Sequence, residues 1–184
     1  MQPPASSVVI PSTSADAEIG IRARSANVLT CVSIHTLEQS QTVSVSIEAC
    51  WNFFSDPRNL ARITPPELGF EVTSQLPPRV HPGMMIQYRV RPLFGIPLTW
   101  LTEITHVDEP RSFVDEQRVG PYRIWHHEHR FIDEGNGTVT MHDKVTYTLP
   151  FGPLGDMVHP FLVTPQLRRI FDFRTEAVKE IFPG

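Results

Sequence analysis

The stretch TPQLRRIFDFRTEAVKEIF, residues 164–182, decides the fold. Leu167, Ile170, Phe171, Ala177, Val178, Ile181 and Phe182 recur at helical spacing and make a wide apolar stripe. Thr164 is a good N-cap and Pro165 suits the first turn, so a helix of about 27 Å is expected from residue 164 onward. Arg174 falls inside the stripe, and a cation there must be paired or must reach water.

Upstream, the pattern changes to period two. Residues 35–45 alternate through Leu37, Val43 and Val45, which marks a strand with one wet face. Ser46 then caps a helix carrying Ile47, Cys50, Trp51 and Phe54, and Asp56-Pro57 starts a second short one with Leu60 and Ile63. Strands follow at 68–75, 84–90, 98–107, 112–119, 122–132 and 138–149, separated by Pro and Gly turns. Asn136-Gly137 is the strongest of the hairpin signals, because both residues tolerate positive φ. Residues 150–160 hold three prolines and two glycines and read as a long irregular loop.

This order predicts an α+β domain: a curved antiparallel sheet of about seven strands wrapped around a long C-terminal helix, with two short helices after the first strand. Seven strands ~4.8 Å apart span roughly 30 Å, whereas a helix is about 10 Å across. The sheet must curl, and the space left between sheet and helix is a pocket. The apolar loops at 92–97 and 150–160 are expected at its mouth.

Composition narrows the function. The chain has 184 residues, which fits one domain at 35–184 behind a Ser-, Ala- and Pro-rich tail at 1–34 that reads as disordered. A net charge of −4 without a basic stripe argues against nucleic acid. No apolar run approaches the ~18 residues of a transmembrane segment, and no secretory signal is visible. The two cysteines, Cys31 and Cys50, form no Cys-x-x-Cys pair, so neither zinc motif nor redox motif is expected and a cytoplasmic location follows. There is no Gly-x-Gly-x-x-Gly, P-loop, His-Glu-x-x-His or Gly-x-Ser-x-Gly, and no cofactor is expected.

The segments WLTEI (100–104), PRSFVDEQ (110–117), GPYRIWHHEHRF (120–131) and DKVTYTLPFGPLG (143–155) carry a resemblance, together with the element order. Over residues 35–182 the chain resembles the SRPBCC superfamily, the START/birch-pollen-allergen helix-grip group. Within it, the chain is most similar to the polyketide cyclase/dehydrase-like single-domain bacterial members. That resemblance implies a helix-grip fold with a hydrophobic ligand cavity. It implies no single chemistry, since the group includes lipid carriers, hormone receptors and aromatic cyclases.

Candidate ligand contacts follow from strand parity. His127 and His129 share a face with Trp125 and Phe131, which is taken as the inner one. Asp143 and Tyr147 share a face with Met141 and Val145. From the helix, Ile170, Phe171, Arg174 and Val178 face the sheet. Glu103 and Asp115 meet Arg174 if both point inward, but the parity of 98–107 is ambiguous. Arg174 either anchors an anionic or carbonyl head group or closes a buried ion pair with Glu103, Asp115 or Asp143. His127, His129, Asp143 and Tyr147 are the candidates for acid–base work, and hydrogen-bonded core histidines are the plainer alternative. A metal held by the two histidines with a third ligand such as Asp143 ranks behind both, so none is expected.

Three functions remain in order of support. The first is binding or transport of a hydrophobic small molecule such as a lipid, isoprenoid, quinone or polyketide-like compound. The second is a cyclase/dehydratase-type enzyme. The third is a regulatory module whose Pro-rich loops and tail bind a partner protein.

Overall fold

The computed structural model describes residues 33–92 and 95–183. The tail expected at 1–34 and Cys31 therefore lie almost wholly outside the described residues, as do positions 93 and 94 of the 92–97 loop.

The chain starts with strand β1 (His35–Val43), whose side chains alternate between half-buried and exposed. Helix α1 (Ile47–Phe54) follows, and the Ser46 hydroxyl accepts from the Ala49 amide at its start. A 3₁₀ segment (Pro57–Ile63) begins on Asp56, whose carboxylate accepts from the Arg58 amide. A second 3₁₀ turn (Pro66–Leu68) ends on Gly69 in the left-handed region at φ 53°. Six more strands complete the sheet: β2 (Glu71–Val72), β3 (Met84–Val90), β4 (Leu98–Asp108), β5 (Ser112–Val119), β6 (Ile124–Asp133) and β7 (Val139–Thr148). Each pairs antiparallel with its neighbours, in the order β1-β7-β6-β5-β4-β3-β2. The strand expected over 68–75 is a correction. Only two residues of it pair regularly, because the 3₁₀ turn takes Leu68, and Thr73 and Ser74 both donate to the Gln87 carbonyl instead of continuing the ladder.

Two irregularities in the β4–β5 register, at Leu101/Thr102 and Ile104/His106, bend the sheet. The concave face carries Met84, Ile86, Tyr88 and Val90 from β3 and Phe113 from β5, all buried. Trp51, Phe53 and Phe54 of α1 cover one end of it. Trp51 meets Phe131 edge to face at 5.8 Å.

The C-terminal helix corrects the expectation for 150–160. Helix α2 (Pro153–Val158), a widened π-helical turn (His159–Val163) and helix α3 (Thr164–Ile181) are continuous in sequence and form one 29-residue helical rod, about 43 Å long. Thr164 is therefore internal and caps nothing; its hydroxyl lies near the His159 ring. Pro153 stands in the first turn, where its missing N–H costs nothing. Pro160 and Pro165 fall in and just after the widened turn, which accommodates rings that a regular α-helix would reject. Phe151 in the turn before the rod, and Leu154, Met157 and Phe161 on its first part, are exposed rather than set at the mouth of the cavity. No helix among the described residues is long and apolar enough to cross a membrane.

Candidate functional site

Between the concave face and α3 lies a cavity of about 210 Å³. Its walls come from strand positions that alternation turns inward, including Ile86, Tyr88, Trp100 and Ile104, with Phe54 from α1 and Ile170 from α3. Half-buried Asn59, Leu60, Pro92 and Gln166 mark where it reaches the surface. The Gln166 side-chain amide donates to the Pro92 carbonyl there.

One wall is charged. Asp115, His127, His129 and Arg174 line the cavity, and Asp143 stands behind them. The sheet register brings these groups together: Asp115 lies opposite His127 across β5–β6, and His129 lies opposite Asp143 across β6–β7. His127 Nε2 donates to Asp143 Oδ1 at 3.1 Å, and its Nδ1 is 3.4 Å from Asp115 Oδ2. His129 Nε2 donates to Asp115 Oδ2 at 2.9 Å, and its Nδ1 is 2.8 Å from Asp143 Oδ1. The two imidazoles lie 3.8 Å apart between centroids. From α3, Arg174 Nη2 reaches Asp143 Oδ1 at 3.5 Å and His129 Nδ1 at 3.3 Å. Its Nε is buried and has no partner among the described residues.

Burial alone disfavours every charge in this group, so the partners decide. For Asp143, burial is outweighed by Arg174 and the two histidines, and its pKa falls well below the usual carboxylate range. Asp115 is also lowered: burial opposes the shift, and His127, His129 and Arg174 overcome it. Burial and the adjacent His129 lower the His127 pKa, and the two carboxylates offset this only in part. Burial opposes charge on His129 too, but Asp115 and Asp143 prevail and raise its pKa. With His129 charged and His127 neutral, two carboxylates balance one guanidinium and one imidazolium. The buried cluster is then neutral overall, which satisfies the demand for pairing.

Of the residues singled out from sequence, Trp125, His127, His129, Asp115, Ile170, Phe171 and Arg174 line the cavity. Phe131, Met141 and Val178 do not. They pack in the core near α1, so strand parity found the right face but the wrong depth. Tyr147 is buried outside the cavity, and its hydroxyl is 2.8 Å from His159 Nε2 at the helical rod. Glu103 is on the outer face, where it pairs with Arg118 at 2.5 Å; the inward placement that would bring it to Arg174 is thereby corrected. The irregularities flanking Thr102–Ile104 are what made the β4 parity unreadable.

Tyr88, Thr102, Trp100 and Tyr122 also line the cavity and were not singled out. Tyr88 was findable, because Met84, Ile86, Tyr88 and Val90 alternate without a break. Its hydroxyl bonds the Thr102 hydroxyl, and burial raises its pKa far above the usual phenol value. Phe53 and Phe54 line the cavity as well, whereas Trp51 is packed beneath them.

No protein-family model and no curated protein matches the sequence. Solved structures do. Norcoclaurine synthase from Thalictrum flavum, in complex with dopamine and hydroxybenzaldehyde, is 14% identical with a TM-score of 0.59, over 95% of this chain and 98% of that one. The protein Ms6760 from Mycobacterium smegmatis is 19% identical with a TM-score of 0.56, over 83% and 98%. The ginseng major latex-like protein 151 from Panax ginseng is 12% identical with a TM-score of 0.59, over 82% and 99%. At these identities the likeness is one of architecture, and the chain has the helix-grip fold that these proteins share.

Proposed function

We propose that the protein binds a small hydrophobic or amphipathic molecule in the cavity between the sheet and the C-terminal helix. The observation that carries this reading is a chamber of about 210 Å³ with apolar and aromatic walls and one charged wall. A 150 Å³ apolar cavity accepts benzene, and ordinary ligand pockets start near ~300 Å³. The volume therefore favours a compact quinone or polyketide-like aromatic of one or two rings over a long acyl lipid or isoprenoid. Tyr88, Trp100 and Trp125 supply ring faces for such a molecule, and Arg174 supplies a cation for its oxygen. Norcoclaurine synthase, of the same fold, holds dopamine and hydroxybenzaldehyde, each of one ring. The reading extends to a cytoplasmic location, in keeping with the free Cys50 thiol in the core.

A second reading is a cyclase/dehydratase-type enzyme. It is favoured by the opposed proton affinities of His127 and His129 on a cavity wall. The acid–base pair would then be His127 with Asp115 or His129, since Asp143 and Tyr147 do not line the cavity.

Titration with 1,4-naphthoquinone, read by quenching of tryptophan fluorescence, tests the binding reading. Saturable quenching is expected, weakened at least tenfold by Ile170→Phe, which fills the chamber from α3. Quenching that never saturates, or that Ile170→Phe leaves unchanged, would remove it. Retained binding with lost turnover of a polyketone in His127→Gln would favour the enzyme.

A further inference from the structure

We propose that Asp115, His127 and His129 form a binding site for a divalent transition-metal ion on the cavity wall, with Asp143 as the outer carboxylate that orients both imidazoles. One donor atom from each of the three residues lies within 4.8 Å of the other two. Asp115 Oδ2 is 3.4 Å from His127 Nδ1 and 2.9 Å from His129 Nε2. Ligands on a tetrahedron about 2.0–2.1 Å from zinc are roughly 3.3 Å from one another. Both distances to Asp115 Oδ2 are within about 0.4 Å of that spacing, and the third pair, His127 Nδ1 with His129 Nε2, lies within 4.8 Å.

The orientation of the rings is the second argument. A carboxylate cannot donate, so His127 Nε2, 3.1 Å from Asp143 Oδ1, carries its proton on that side, and His129 Nδ1 stands 2.8 Å from the same oxygen. That oxygen thus fixes the tautomer of His127 and touches both rings, whose other nitrogens, His127 Nδ1 and His129 Nε2, face Asp115. This is the relation of an outer carboxylate to metal-ligating histidines. Two imidazole nitrogens and a carboxylate oxygen then lie within 4.8 Å of one another with only one proton to share among them. A dication satisfies all three, and the proton that His129 otherwise directs at Asp115 passes to water.

The site is built on rigid elements. His127 and His129 alternate onto one face of β6, Asp115 is the register partner of His127, and Asp143 that of His129. Both histidines are buried, with side chains 8% and 7% exposed, so this is no solvated surface group. Arg174 does not occupy the metal position. Its guanidinium approaches from the Asp143 side, against His129 Nδ1 rather than Nε2.

Asp143 is not among the residues that line the cavity, whereas the three ligands are. A site with three protein ligands and its remaining positions toward a pocket is of the open type, and two histidines with one carboxylate suit zinc or ferrous iron. With two carboxylates, one guanidinium and a dication, the assembly keeps one positive charge. The open position therefore selects an anionic oxygen: hydroxide, phenolate, enolate or carboxylate. Only this last step rests on the cavity-binding reading.

The test uses the full chain, stripped with a chelator and then titrated with Zn²⁺ by calorimetry and with Co²⁺ by visible absorption, with no organic ligand present. One-to-one binding is expected, with the intense Co²⁺ bands of a four- or five-coordinate site. Asp115→Asn and the near-isosteric His127→Gln should each weaken binding at least tenfold, and Asp143→Asn about 10- to 100-fold. His35→Ala, in the separate pair of His35 with Asp156, should leave affinity unchanged. The proposal is overturned by wild-type protein that takes up no stoichiometric metal, by affinity that survives both Asp115→Asn and His127→Gln, or by loss of binding in His35→Ala. Should a ligand variant fail to fold, the wild-type Co²⁺ spectrum and the remaining variants still decide. Metal is the only probe, so a failure here is distinct from failure of naphthoquinone to bind.

Discussion

Arg174 on α3 lies 3.5 Å from Asp143 on β7, and both side chains are about nine-tenths buried. The pair ties the helix to the sheet behind the charged wall. Arg174 also sits 5.5 Å from the Phe54 ring centroid, so its cation bridges α1 and α3 as well. Arg174→Met removes the guanidinium and strands part of the Asp143 charge. A loss of about 3 kcal/mol in unfolding free energy by urea titration is expected, because breaking a buried pair costs about 3–5 kcal/mol. Adding Asp143→Asn should recover part of that loss, since no stranded charge is left. Additive losses in the double variant would show that the two groups are not coupled.

Much of this arrangement was legible in the sequence, and the reasons for the gaps are physical. Period two placed His127, His129 and Asp143 on the inner face, because alternation is a property of the strand itself. Arg174 stood out because a cation interrupts an apolar stripe. Which carboxylate meets which histidine depends on register, and register is set by hairpin lengths that a single strand does not contain. Sequence alone therefore leaves Asp115 beside Glu103 as an undecided pair and offers Asp143 as one example of a third ligand beside the two histidines, whereas the three groups that lie within 4.8 Å of one another are Asp115, His127 and His129. The first third of the helical rod reads as loop from sequence because Pro and Gly composition carries no sign of the widened turn that tolerates it. Cavity volume is a small difference between large volumes, and no residue pattern encodes it.

Glu103 provides a check on the outer face of β4. Its carboxylate pairs with Arg118, which also holds Glu116 at 2.9 Å. Such a pair near the surface is worth little. Glu103→Gln should change stability by less than about 0.5 kcal/mol and leave both naphthoquinone and metal affinity untouched. A tenfold effect on either affinity would put Glu103 back on the inner wall.

Gly155 opposes two effects of known sign. Alanine gains about 1 kcal/mol of helix propensity over glycine. Yet a Cβ at Gly155 would stand 2.3 Å from the Pro150 carbonyl oxygen, and that backbone cannot swing aside like a side chain. The clash should prevail. Gly155→Ala is expected to cost about 1–3 kcal/mol and to speed amide exchange over residues 153–163, where the rod begins. An equally or more stable variant would mean that α2 does not start against Pro150.

Cys50 reports on the core beneath α1. Burial pushes its thiol up to about 12, so at pH 8 only about one molecule in ten thousand carries the reactive thiolate. In a Cys31→Ser background, which leaves Cys50 as the sole thiol, a disulfide reagent should label the native protein orders of magnitude more slowly than a free thiol. Denaturing urea should restore fast labelling. Labelling should also follow the unfolding equilibrium, so Arg174→Met, with its weaker helix–sheet tie, is expected to speed it roughly in proportion to its loss of stability. Fast labelling of the native protein would mean that α1 does not bury Cys50 against the sheet, and the end of the concave face closed by Trp51, Phe53 and Phe54 would then be open to water.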